Sequence, residues 1–349
     1  MPFYQGNADF GKRSPSPRVW CSSPKKTASE GDILISVRAP IGAINIAAEQ
    51  CCIGRGLAAL AVRPDVATRD YLEHYLRYKR PELEHQGTGS TFKAVGKKVF
   101  AEMTLPIVSV DEQFEIAKKL NDALKLQEEA FSQIGMLDEL VKSRFVEMFG
   151  TPHEMDRWRV CDVSEIADVT VGVVVKPAQY YVEEGEGVRA FRSLNIAPMR
   201  VKNDSWVYFS KEGNEKNKKS QLHAGDVVLV RSGAPGVACV VTPEYEGCNA
   251  VDIIIARLDK DQVDPVFFAA FMNYPHGQVQ ITDGTGGSAQ QHFNVGTCKK
   301  MRFVLPPLSL QQEFAAFVQQ VDKLKFETQQ AIEKLQLLYD SLAQEYFGG

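Results

Sequence analysis

The sequence predicts an α+β chain built twice over: two globular units with mostly antiparallel sheets, each followed by a long helix, the helices packing as an antiparallel coiled coil. Three observations predict it. Leu105-Pro106-Ile107-Val108-Ser109-Val110 returns 200 residues later as Leu305-Pro306-Pro307-Leu308-Ser309-Leu310. Gly31-Asp32-Ile33-Leu34-Ile35-Ser36 returns as Gly225-Asp226-Val227-Val228-Leu229-Val230, and Gly87-Thr88-Gly89-Ser90-Thr91 as Gly284-Thr285-Gly286-Gly287-Ser288. Each copy then enters a stretch with apolar residues at steps of three and four, closing on Phe149-Gly150 or Phe347-Gly348. A period this long excludes a solenoid, whose repeats run to about 20–50 residues, and means whole duplicated domains.

The first unit, residues 1–110, carries the apolar strand after Gly31-Asp32 and a helical stretch, Asp70-Tyr71-Leu72-Glu73-His74-Tyr75-Leu76. A helix over 111–150 follows. Pro106 cannot lie inside it, and Ser109 is placed to cap it. The second unit, 151–304, has strand-like stretches at Val169-Thr170-Val171, Val227–Val230, Ala238-Cys239-Val240-Val241 and Asp252-Ile253-Ile254-Ile255-Ala256. Glycine and proline turns at Gly185, Gly187, Gly233, Pro235, Gly236 and Gly247 divide them. Its helical stretch is Pro265-Val266-Phe267-Phe268-Ala269-Ala270-Phe271-Met272.

A second helix occupies 305–349. Sustained steps of three and four imply that the two helices pair, with Leu120, Leu124, Phe131 and Ile134 set against Val321, Leu324, Leu335 and Leu342. Gln127 and Thr328 would be polar seam positions that weaken the coil but fix its alignment. Aspartate at Leu124 or Leu324 is then expected to bury an unpaired charge. The alternative is two helices that each pack only on their own domain.

Aligning Gly31 with Gly225 puts Met1 opposite Asn195, so residues 151–194 have no counterpart upstream. The first sheet is therefore expected to lack a strand or two and to leave an edge unprotected. Counterparts of Trp158, the strand around Val171, and Arg192 would be missing, and reading of a full bipartite site would be impaired.

The chain has 349 residues, 44% hydrophobic and 24% charged, as in an ordinary globular protein. No apolar run approaches a membrane span, and the N-terminal residues lack the pattern of a secretory signal. Seven cysteines without Cys-x-x-Cys spacing read as thiols in a reducing cytoplasm. The six histidines show no metal spacing. Net charge is −4, but residues 105–150 carry 5 Lys and Arg against 9 Asp and Glu, while residues 1–104 carry 15 against 10. The acidic excess thus sits mainly on the helices, which leaves the globular units able to face a polyanion. No Asn/Asp-Pro-Pro-Tyr/Phe methylation motif, Gly-x-x-x-x-Gly-Lys-Ser/Thr loop or strand-borne Gly-x-Gly-x-x-Gly is present.

The duplicated set of Gly-Asp strand, Gly-Thr/Ser loop and Leu-Pro-x-x-Ser-x-x-x-Gln/Glu entry to a long helix resembles the specificity subunit of type I restriction-modification systems, over essentially the whole chain. The resemblance implies a non-catalytic DNA-binding subunit. It would have two target-recognition domains, each reading half of a split site on double-stranded DNA, with the helices as spacer. It also implies two modification (methyltransferase) subunits and restriction/translocase subunits as partners. S-adenosylmethionine, ATP and Mg are expected on those partners only, with no cofactor or metal on this chain. The departure is the short first domain; shortened or silent specificity genes occur in such systems. The rival readings are a scaffold whose paired domains bind proteins and an independent nuclease or methyltransferase; the second is disfavoured by the absent motifs.

DNA recognition uses Arg or Lys on phosphates and guanine, and Asn or Gln on adenine. In the second unit the candidates are Arg192, Ser193, Asn195, Lys216, Lys218, Lys219, Arg231, Ser288, Gln290 and Gln291. In the first they are Gln5, Arg38, Ser90, Thr91 and Lys93. Plainer readings stand beside these: Arg38 and Arg231 as residues that hold a turn, and the 216–219 lysines as a solvated loop.

Overall fold

The computed structural model describes residues 1–88, 93–284 and 293–348. The chain divides into two compact units, Met1–Gln133 with Glu327–Gly349, and Ile134–Phe326, so the division runs through each long helix.

In the first unit the strand Ile33–Ser36 lies between Ile44–Ile46 and Leu57–Leu60, antiparallel to both. Its side chains alternate between two cores. Ile33 and Ile35 meet Tyr71, Tyr75, Leu76, Ile116 and Leu120, whereas Leu34 meets Tyr4, Ala28, Cys51 and Ile53. Burial on both faces explains why the strand reads as a continuous apolar run. The second sheet, in the order Val19–Trp20, Pro2–Tyr4, Cys51–Ile53, Thr27–Ala28, is antiparallel except where Pro2–Tyr4 runs parallel to Cys51–Ile53.

The second unit repeats this plan. Val227–Val230 lies between Ala238–Val240 and Ile253–Leu258, with Val227 and Leu229 facing one core and Val228 and Val230 the other. Val188–Phe191 runs parallel to Asn249–Ala250, as Pro2–Tyr4 does to Cys51–Ile53. Two strands are additional. Ala167–Val171 pairs on the outer edge of Ile253–Leu258, and Tyr181–Val182 on the outer edge of Val207–Phe209. Among the described residues, the matching edges of Leu57–Leu60 and Val19–Trp20 carry no strand.

The Gly-Asp pairs build turns. Gly31 and Gly225 adopt φ of +85° and +91°, which favours glycine. Asp32 and Asp226 then accept the N–H of Ser29 (2.8 Å) and of His223 (2.9 Å). The motif is scaffold in both copies.

The long helices run Val110–Phe149 and Leu308–Phe347. Within the first unit Lys119 lies over the Tyr346 ring at 5.8 Å and Gln127 donates to Gln336 (3.1 Å). Within the second, Lys325 pairs with Asp138 (2.6 Å) and Arg144 with Glu313 (3.1 Å). In each unit the number rises along one helix as it falls along the other, so the packing is antiparallel. The covered stripe on the first helix runs Ile116, Leu120, Ala123, Gln127, Ala130, Ile134, Leu137, Val141, and on the second Phe314, Val318, Val321, Lys325, Thr328, Ile332, Leu335, Tyr339, Leu342. Steps of three and four alternate throughout, the 3.5-residue period of a coiled coil.

Phe131 and Leu324 are corrections to the expected seam. They are 55% and 49% exposed, while Leu124 is half-buried beside Ala123. Small Ala123 and Ala130, and a lysine at 325, hold the seam places that an apolar reading passes over. The Lys325 side chain is only 22% exposed and carries its ammonium out to Asp138 and Asp322.

One buried residue type occurs at the start of both helices. Gln113 accepts the Thr68 N–H (2.8 Å) and donates to the carbonyls of Val66 and Val108 (both 3.0 Å). Gln311 accepts the Asp264 N–H (3.0 Å) and donates to those of Gln262 (3.0 Å) and Pro306 (2.8 Å). Both are 0% exposed. The structural repeat of the helices is therefore 198 residues, which also superimposes buried Phe149 on buried Phe347; the Leu-Pro spacing of 200 is two residues out of step.

His74, 2% exposed, hydrogen-bonds the Tyr339 hydroxyl through Nδ1 (3.0 Å) and Asn121 Oδ1 through Nε2 (3.1 Å). Burial pushes it below its ordinary 6.5, as it does His276, 1% exposed against the Phe145 ring. The unfolded histidines take up protons near 6.5 and the folded ones resist, so stability present above that pH is lost as pH falls through the interval between unfolded and folded values. Urea midpoints are expected to drop between neutral and mildly acidic pH, and less steeply in a His74→Gln variant. An unchanged slope would mean that the buried ring accepts a proton without penalty.

Candidate functional site

The described sequence-predicted candidates fall on the turn after the central strand and the loop after Pro2–Tyr4 or Val188–Phe191 in each unit, beside the first unit's glycine-rich loop, and on a lysine-bearing segment of the second unit. The first is the turn that follows the central strand. In the second unit Gly236 closes it at φ +79°, and a Cβ there would lie 2.1 Å from Ile281 Cδ1, so only glycine fits. Arg231 opens the turn. Its carbonyl accepts the Phe293 N–H (3.0 Å), and its guanidinium pairs with Asp252 while remaining 20% exposed. Arg231 is thus tied to the turn through its carbonyl and to Asp252 through its guanidinium.

In the first unit the matching bond runs from Val95 N–H to the Val37 carbonyl (2.9 Å). Arg38 therefore stands opposite Ser232 rather than Arg231, exposed and bridged by its backbone to Ala94. Thr88 and Ala94 close the base of the first glycine-rich loop, and Lys93 is exposed beside it. Ser90 and Thr91, like Ser288, Gln290 and Gln291, lie outside the described residues.

The second loop follows Val188–Phe191. The Arg192 N–H donates to Asn195 Oδ1 (2.9 Å), Asn195 Nδ2 donates to the Asp204 carbonyl (2.7 Å), and the Arg192 guanidinium donates to the Ser205 carbonyl. Asn195 is 0% exposed with both ends of its amide engaged, so it holds the loop and cannot reach a base, contrary to the expectation for it. Ser193 is half-buried, and Leu194 beside it is 57% exposed.

The first unit has the same loop with an aspartate in the role of Asn195. The N–H groups of Gln5 and Gly6 donate to Asp9 Oδ2 (2.7 and 3.4 Å). Exposed Gln5 follows buried Tyr4 as Arg192 follows buried Phe191, so Arg192 does have a positional counterpart upstream. The ungapped alignment that set Met1 opposite Asn195 fails because the chain between this loop and the Gly-Asp turn differs in length in the two units.

The lysines, read from sequence as a loop, lie on helical turns of the second unit: Lys216 ends the short helix Lys211–Lys216, and Lys218 and Lys219 lie in the 3-10 turn Lys218–Ser220. Lys216 lies 5.9 Å from the Tyr180 ring centre, Lys218 pairs with Glu215 (2.8 Å), and all three lysines are exposed. The Lys219 carbonyl accepts from Arg257, whose guanidinium also reaches Asp226 (3.6 Å). Burial raises the Asp226 carboxyl while the His223 N–H and Arg257 draw it back. Chemically these segments offer donors and cations for phosphates and base edges rather than paired acids or a nucleophile. Sequence reasoning missed Gln113 and Gln311, whose signal was a glutamine recurring at 198 residues near the start of each long helix.

The profile of a family described as the type I restriction modification DNA specificity domain matches residues 22–133 and 195–337. Among curated proteins, the chain is 39% identical over 137 residues to a putative type I restriction enzyme MjaX specificity subunit of Methanocaldococcus jannaschii, covering 38% of this chain and 32% of that one. It is 22% identical over 328 residues to the StySPI specificity subunit of Salmonella potsdam, covering 86% and 69%. The match thus spans about a third of the first relative and about two thirds of others. Among solved structures, a type I restriction-modification S subunit from M. genitalium superimposes with a TM-score of 0.55 at 14% identity, covering 99% of this chain and 88% of that one. A chain from a structural study of type I R-M complex assembly and conformational transition gives 0.60 at 15%, covering 99% and 90%. At these identities the structures show a shared fold.

Proposed function

Because the chain belongs to the type I restriction-modification DNA specificity domain family, we propose that it is the DNA-reading subunit of such a system, directing methylation and restriction to a bipartite site. The observation that carries this reading is the duplication: two family-matched segments, in units that share the same two-sheet plan and the same glutamine-clamped helix. Two like readers in one chain suit two half-sites on one duplex. Affinity comes from phosphate neutralisation, and selectivity from loop side chains. The partners are two modification subunits, which supply S-adenosylmethionine chemistry, and ATP- and Mg-dependent translocating restriction subunits. Large exposed apolar residues on the long helices suit protein docking: Leu126, Phe131 and Leu337 in the first unit, and Met136, Leu140 and Phe326 in the second.

The test is methylation of a randomised duplex library by the chain assembled with modification subunits. A split motif that vanishes when the chain is omitted is the expected result; unselective methylation would favour the scaffold reading. Gln290 and Gln291 remain the proposed base readers. Changing both to alanine is expected to relax preference in one half-site by about 1–3 kcal/mol per lost bidentate contact. The salt dependence should stay nearly constant, since no phosphate contact goes. Undiminished preference would reduce that loop to a structural role.

A further inference from the structure

We infer that the basic edge strand of the first unit, Val19–Trp20 with the loops on either side, is a second DNA-contacting surface that grips backbone without reading bases. The inference rests on the DNA-reading function and assigns to it a surface outside the candidate segments above. From Phe10 to Ser29 the chain carries Lys12, Arg13, Arg18, Lys25 and Lys26 and no aspartate or glutamate. All five are exposed. Lys12 reaches Glu128 (3.0 Å), Arg18 reaches the Ala8 carbonyl (2.8 Å) and Asp9 (4.0 Å), and Lys26 reaches the Leu57 carbonyl (2.7 Å). Arg13 and Lys25 have no side-chain partner among the described residues.

Amid these cations stands Trp20, 65% exposed. The chain's other tryptophans, Trp158 and Trp206, are half-buried, with their indole N–H bonded to the Phe149 carbonyl and to Asn203. A large bare aromatic in a segment with five exposed cations and no anion is the composition of a surface that meets a sugar-phosphate backbone: cations on phosphates, ring against deoxyribose.

The second unit supplies the contrast. There Val207–Phe209 holds the corresponding place, antiparallel to Val188–Phe191 as Val19–Trp20 is to Pro2–Tyr4. Tyr181–Val182 covers its outer edge, and the Tyr208 hydroxyl donates to Glu184 (2.7 Å) within the acidic run Glu183, Glu184, Glu186. That edge is paired and lies beside acidic residues, whereas among the described residues no strand pairs on the outer edge of Val19–Trp20, which lies in a cationic segment. A polypeptide strand is a poor occupant of that outer edge. The strand has two residues, and Pro15, Pro17 and Pro24 bracket it, the devices that keep edges from pairing.

The experiment uses the full chain with its modification subunits and a long duplex of mixed sequence. In Arg13→Gln/Lys25→Gln the slope of log affinity against log salt is expected to become shallower by about two, with half-site preference unchanged. Trp20→Ala should weaken binding several-fold. DNA should quench a tryptophan signal that is missing in Trp20→Phe. An unaltered slope together with no Trp20-dependent quench would overturn the inference. So would Trp20 emission already shielded by partner subunits before DNA is added. If the unchanged assembly binds no DNA even at low salt, it is the DNA-reading function itself that falls.

Discussion

Replacing Gln311 with leucine is expected to destabilise the second unit by about 3–5 kcal/mol, although leucine is apolar, close in volume and a good helix former. The side chain bonds three backbone groups at 2.8–3.0 Å: the Asp264 N–H where the helix Pro265–Asn273 begins, the Gln262 carbonyl before it, and the Pro306 carbonyl before the long helix. With the residue 0% exposed, no water replaces what leucine removes, and each stranded group costs about 1–3 kcal/mol. Gln113→Leu should do the same in the first unit through Thr68, Val66 and Val108. Exposed Gln312→Ala is the control and should change stability by less than about 0.5 kcal/mol. Urea unfolding of the three variants decides it; a Gln311→Leu midpoint no lower than that of the control would show that the clamp is dispensable.

A second large effect tests the register of the helix pair. Val321→Asp should cost about 3–5 kcal/mol, since Val321 is 3% exposed and packs in the core that holds Val141, Phe314 and Val318. Leu324→Asp, at a site 49% exposed, should cost less than about 1 kcal/mol. Both are apolar positions three residues apart on one helix, so propensity and charge are nearly matched and burial differs. Equal losses would move the seam back to the register that apolar spacing alone suggests. Thermal unfolding with each variant's helix content as a check measures the difference.

Much of the architecture was legible because its signals are local. The strands at Val227–Val230 and Ile253–Leu258 follow from apolar β-branched runs between glycine turns. The helix Pro265–Asn273 follows from proline at its first position after Asp264, whose carboxylate accepts from Val266 and Phe267. The candidate site was less legible. Arg231 and Asn195 look like recognition residues by type, and their partners, Asp252 and the Asp204 carbonyl, lie on other stretches of chain, 21 and 9 residues away. Only the short turn from Arg192 to Asn195 is local; the other partners come from distant chain. Trp20 escaped for the opposite reason. Burial is the ordinary fate of a tryptophan, whereas Trp20 is 65% exposed on a strand that no other described strand pairs on its outer side.

By itself the sequence determined the duplication, the α+β class and the coiled-coil helices, since repeats, binary pattern and heptad period are all written along the chain. Tertiary structure alone decided which flank of each helix is covered and which polar side chains are spent on the scaffold. Periodicity places a stripe on a helix to within one residue, but alanine or leucine, Val321 or Leu324, becomes the seam according to what arrives from distant chain to cover it. A buried amide such as Gln311 acquires its role only when three remote backbone groups converge on it.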